Sequence, residues 1–174
     1  LSEDGAVSLD EMMAKLAAQP LAFQPGSQFR YSVATDVLAH VIEKATGERL
    51  DDLLREHLFE PLQMQDTGFC ITPDQQDRLM PMFGVSRLSD LSPMNPPLEQ
   101  TLTAVDVEGM YPAANSNFRR GGHGLFSTTS DYLKFATMLL DGKTVSGEVI
   151  LSRTMLKMMQ ANRIPKHQLP LKIG

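Results

Sequence analysis

Tryptophan is absent from the 174 residues, and cysteine occurs once, at Cys70. A lone thiol excludes an intrachain disulfide and a Cys-His metal cluster. Set behind Phe69 in an apolar run, it is expected to be buried and inert. The histidines, His40, His57, His123 and His167, never stand four residues apart, so a helical pair of metal-ligating imidazoles is excluded as well. No apolar run reaches the length of a membrane span. The chain opens on Leu1 without a methionine, so the lack of a leader excludes nothing. Long runs of like charge are missing too. The net charge is −5 and the only basic doublet is Arg119-Arg120, which a solvated loop explains. That argues against a nucleic-acid surface, which needs a basic patch.

What is present is the composition of an ordinary globular protein, with 42% hydrophobic and 21% charged residues, enough for one domain with a core. The stretch from Pro25 to Gly47 organises it. A Pro25-Gly26 turn signal leads into Phe29 and Tyr31, whose alternate spacing sets both rings on one side of an extended segment. The period then changes. Val37, Leu38, Val41, Ile42 and Ala45 form the apolar stripe of an amphipathic helix, and Gly47 stands where a left-handed cap belongs. Tyr31 is thereby placed near a helix N-terminus, where the local field favours negative charge. By position alone, such a tyrosine is ordinarily a packed ring with a satisfied hydroxyl.

Elsewhere, Ser8 and Glu11 predict a capping box before a helix carrying Leu9, Met12, Met13 and Leu16. Leu50–Phe59 reads as another helix, with acids in its first turn and Pro61 at its end. Thr72, Pro73 and Gln75 signal a short helix that would carry Leu79 and Met80. From 81 to 122 the periodicity fades into a long irregular loop, either functional or a surface excursion. Gly121-Gly122-His123-Gly124 lacks the Lys-Ser/Thr of a phosphate loop; its glycines suit a tight turn and close backbone packing. Thr128 and Asp131 start a helix burying Tyr132, Phe135, Met138 and Leu139. Ser152 starts the last helix, with Leu156 and Met159 inward, and residues 164–174 read as the approach to a strand.

Three separated stretches resemble the serine hydrolase family of class C β-lactamases, D-alanyl-D-alanine carboxypeptidases and related esterases. The first runs from Pro25-Gly26 through Tyr31-Ser32-Val33 to Thr46-Gly47. The second is Glu60-Pro61-Leu62-Gln63-Met64-Gln65-Asp66-Thr67-Gly68-Phe69. The third is Gly121-Gly122-His123-Gly124-Leu125-Phe126-Ser127-Thr128, followed by Asp131-Tyr132 and Phe135. They occur in the family's order and cover most of the chain.

The resemblance implies a mainly α chain: the helical lobe of the β-lactamase/transpeptidase-like α/β fold, lacking most of the sheet lobe. Residues 1–174 would be a single, incomplete domain. It implies that Tyr31 is the tyrosine of the second catalytic motif, Tyr-x-Asn. Val33 replaces the asparagine that holds a substrate amide, which favours the esterase branch, and Val33 and Tyr111 would face the substrate. The implied substrate is a small ester or β-lactam-like molecule, with no metal or organic cofactor. A serine needs its proton removed before it can attack, and an unperturbed tyrosine is ionised to only about one part in a thousand at pH 7. Lowering its pKa by about three units takes about 4 kcal/mol, which a lysine ammonium in contact can supply. In the family that lysine follows the nucleophile in Ser-x-x-Lys, and no serine of this chain has a lysine three residues on. Two other readings stay open: a binding or scaffolding module of the same fold, and a D,D-carboxypeptidase or β-lactamase in the full-length protein. A helical lobe by itself would also expose apolar surface and self-associate.

Overall fold

The computed structural model describes residues 8–84, 103–105 and 119–169. The fold is mainly helical, as expected. Its elements are α1 (Leu9–Ala17), α2 (Ala34–Thr46), α3 (Leu50–Leu54), the short strands β1 (Met82–Gly84) and β2 (Thr103–Val105), α4 (Thr129–Asp141) and α5 (Arg153–Gln160). The chain divides into two compact units: residues Leu1–Phe69 with Ser116–Gly174, and residues Cys70–Asn115.

In the first unit, local chemistry starts α1, α4 and α5 and stops α2 as the sequence predicts. The hydroxyl oxygens of Ser8, Thr128 and Ser152 accept from the N–H groups of Glu11, Asp131 and Met155 at 3.2 Å each, and each bond satisfies an orphan donor of a first turn. Gly47 and Gly142 close α2 and α4 at φ 76° and 81°, a conformation in which a Cβ is penalised. Helix α3 runs on into a π-helical turn, Arg55–Phe59, where Glu60 N–H reaches Arg55 O and Met64 N–H reaches Phe59 O.

Two apolar clusters result. Leu9, Ala39, Leu50 and Phe69 form one, joining α1, α2 and α3. Phe59, Leu62, Met64 and Met138 form the other, with Phe135 and Leu139 of α4 against it. Leu54 packs on both. Helix α1 is also tied to α2 by Lys44 Nζ, 2.8 Å from Asp10 Oδ1, with His40 Nδ1 at 3.3 Å from the same oxygen.

Several expected faces are corrected. On α2 the buried residues are Asp36 and Ala39, while Leu38 and Val41 are 57% and 53% exposed. Helices α1 and α3 meet α2 at Ala39 rather than at Leu38 and Val41. Tyr132 and Met159 are likewise exposed, leaving Met138 and Leu156 to anchor their helices. The final residues form a 3-10 turn, Lys166–Gln168; residues 170–174, the rest of the expected strand approach, lie outside the described residues.

In the second unit, Thr72 and Gln75 form only half of the expected cap. Thr72 N–H donates to Gln75 Oε1 at 3.0 Å, and one 3-10 turn, Gln76–Arg78, follows in place of a longer helix. Leu79 leaves helical geometry and Met80 is exposed. Cys70 is exposed, contrary to expectation. Within the stretch read as irregular, Met82–Gly84 pairs antiparallel with Thr103–Val105. Three-residue strands are too short for an alternating pattern to be seen.

Candidate active site

Tyr31 lies three residues before α2, outside any helix or strand, and is 77% exposed. Val33 takes the N-cap position of α2 and is half-buried. Its side chain offers the helix no hydrogen bond, so the usual polar cap is missing at this end. Tyr111, the other expected substrate-facing residue, lies outside the described residues.

The first turn of α2 is held by the glycine loop. Asp36, at 2% exposure, accepts from Arg120 Nε at 3.2 Å, Arg120 Nη2 at 3.0 Å and Gly122 N–H at 3.1 Å. A forked guanidinium on a carboxylate is both strong and directional. Burial alone would push the Asp36 carboxyl up, but the Arg120 guanidinium and the Gly122 N–H outweigh it and hold it below the usual range. The glycines permit the approach. A Cβ on Gly121 would sit 2.2 Å from the Thr35 carbonyl oxygen, and one on Gly122 would sit 3.1 Å from Thr35 Oγ1.

Arg119 and Arg120 are therefore not a solvated doublet. Arg119 is buried, donates from Nε to Asp51 Oδ2 at 3.0 Å and lies over the Phe69 ring at 5.8 Å. Burial opposes the charge on Asp51 too, yet Arg49 and Arg119 keep its pKa low. The two arginines point to different helices, one to the start of α2 and the other to the start of α3.

The remaining family-like stretch joins the same assembly. Gly68 and Phe126 exchange backbone bonds of 3.1 and 2.8 Å. Buried Asp131 accepts from Asp66 N–H at 2.8 Å, Thr67 Oγ1 at 3.0 Å and Lys134 Nζ at 2.8 Å, and Lys134 also reaches Gln63 O. The three stretches that were separate in sequence thus converge: the second is bonded to the third through Asp131, and the third to the first through Asp36. Three of the described lysines are paired with acids, Lys15 at Glu11, Lys44 at Asp10 and Lys134 at Asp131.

Sequence reasoning singled out Tyr31 and gave no part to Asp36 or Arg120. The available signal was an acid that recurs with Ala39 at helical spacing, together with an arginine immediately before a Gly-Gly pair. Only a shared environment in three dimensions connects the two.

A model of the family described as Beta-lactamase matches residues 1–168. Protein Rv1367c of Mycobacterium tuberculosis is 33% identical over 159 residues, which are 91% of this chain and 37% of that protein. Esterase EstB of Burkholderia gladioli is 48% identical over 61 residues, 35% of this chain and 16% of that protein. Among solved structures, Simvastatin Synthase (LovD) from Aspergillus terreus superposes with a TM-score of 0.68 at 23% identity, over 87% of this chain and 34% of its own. The chain thus spans little more than a third of these relatives' length at most.

Proposed function

This chain belongs to the Beta-lactamase family, and on that premise we propose that it is the central helical portion of a serine hydrolase of the esterase branch. Tyr31 is the general base of acylation. Its phenolate takes the proton from a serine hydroxyl supplied outside these residues, the serine oxygen bonds to the acyl carbon, and the ester's alkoxide leaves with the proton that Tyr31 returns. Water then releases the acid from the acyl-enzyme. Val33, and Tyr111 with it, lines the substrate side. The observation that carries this reading is the exposure of the Tyr31 ring, since a packed structural tyrosine would hide its hydroxyl from any substrate. Val33 in the asparagine position supports esters over β-lactams, as does the likeness to an esterase.

The test is turnover of p-nitrophenyl butyrate and nitrocefin. The 174 residues alone are expected to be inactive. In the full-length protein, Tyr31→Phe is expected to lower ester turnover by about 10²–10⁴-fold, the range for a general base. Serine-reagent-sensitive turnover by the 174 residues, or full activity of Tyr31→Phe, would overturn the reading. Nitrocefin outpacing the ester would favour the β-lactamase alternative, and Val33→Asn is expected to shift the ratio that way.

A second reading, a non-catalytic scaffolding module, draws on one observation: no serine here precedes a lysine by three residues. A Ser-x-x-Lys in the flanking coding sequence would end it. In either case the exposed apolar face of α2, with Leu38 and Val41, is a surface through which the chain self-associates.

A further inference from the structure

Resting on the reading of Tyr31 as the reacting phenol, we infer that Asp36, held by Arg120 and Gly122, is the positioning residue that fixes Tyr31 in the site.

The ring cannot position itself. It is largely open to solvent, and Phe29, Arg30 and Ser32 around it are exposed as well. Val33 does not cap the helix that follows. What is fixed lies on either side of this short segment. Upstream, Gln168 Nε2 donates to Gly26 O at 2.7 Å. Downstream, the first turn of α2 is gripped at Asp36 by the guanidinium fork and the Gly122 N–H. The grip is tight as well as charged, because Gly121 meets the Thr35 backbone where no Cβ fits. Tyr31 stands five residues before Asp36, so its place is set by the rotation and depth of that turn. A buried carboxylate with three directed donors is a far stiffer reference than the exposed strap upstream.

Positioning of this kind acts on the chemical step. A displacement of 1 Å at a reacting group can cost about 10²-fold in rate, with little effect on a substrate bound elsewhere in the cleft. The sister ion pair, Arg119 with Asp51, is chemically similar but anchors α3. It provides an internal control for loss of stability without loss of position.

The experiment uses the full-length protein with p-nitrophenyl butyrate, assayed well below the melting temperature of every variant. Asp36→Asn is expected to lower kcat about 10- to 100-fold while KM stays within about threefold. Arg120→Lys keeps the charge and loses the fork, and is expected to lower kcat about tenfold. Asp51→Asn is expected to stay within about twofold of the parent in kcat, since it breaks the pair that anchors α3 and leaves the grip on Asp36 in place. Should Asp36→Asn fail to fold, the comparison of Arg120→Lys with Asp51→Asn decides. A kcat loss no larger than that of Asp51→Asn, or a loss confined to KM, overturns the inference while a defective Tyr31→Phe leaves the hydrolase reading standing. Full turnover by Tyr31→Phe, or none by the parent, defeats both.

Discussion

Asp36 is an acid with almost no contact with water, and its charge survives because Arg120 and Gly122 replace the lost hydration. Leaving one member of such a pair without its partner costs about 3–5 kcal/mol, so the residue is a stability element whatever its role in chemistry. The pH dependence follows in sign. Asp36 and Asp51 both have pKa values below the ordinary one, so the unfolded chain binds more protons than the folded one between the two values. Their stabilisation is complete above the unfolded pKa of about 4 and is lost as pH falls through the folded values. Urea melts between pH 6 and pH 2, taken as about two units either side of that pKa, are expected to show stability falling on the acid side. The Asp36→Asn and Asp51→Asn double variant should flatten that fall. A slope equal to that of the parent would mean that other groups govern acid unfolding.

Among the elements, most helix ends were legible, while the packed faces were only partly so: Leu9, Met138 and Leu156 are inside as expected, Leu38 and Val41 are not. Ser8, Thr128 and Ser152 act on amides three residues away, and Gly47 and Gly142 act within one turn, so a short window of sequence holds everything that decides them. Asp36 and Arg120 lie 84 residues apart, and no local pattern links them. Periodicity marked the apolar stripe of α2 but not which part of it a neighbour covers, hence Leu38 and Val41 outside and Asp36 inside. The glycines separate these two kinds of information. Gly47 has φ 76° and open space where a Cβ would go, so Gly47→Ala is expected to cost about 1 kcal/mol through backbone strain alone. Gly121→Ala drives a methyl into the Thr35 carbonyl, which cannot swing away, and is expected to cost more, about 1–3 kcal/mol. Denaturant midpoints of the two variants check the order; equal losses would show that the loop yields freely from α2.

At the scale of the whole molecule, the two clusters around Leu54 leave a set of large apolar side chains uncovered, Leu38 and Val41 among them. Surface of this kind drives association. Light scattering on the 174 residues is expected to show dimers or larger species as concentration rises, and a Leu38→Glu, Val41→Lys variant is expected to remain monomeric. A parent that stays monomeric at millimolar concentration would remove α2 as the contact face. Membership of the family was readable from three short stretches because each keeps its own spacing. Their convergence on one loop was not, because it depends on buried charges that composition shows only as ordinary acids and arginines.

The π-helical turn at Arg55–Phe59 sets the phase between those clusters. It accommodates one residue more than an α-helical path would over the same stretch. Excising a single residue there would let the helix revert to its common form with the downstream phase kept, whereas excising one from the α-helical turn before it would rotate everything downstream by about 100°. After that second change, Phe59, Leu62 and Met64 would face away from Met138. Chain length beside this turn is consequently a quantity under constraint in its own right, and a one-residue deletion within Leu50–Leu54 should harm the protein more than one inside the turn.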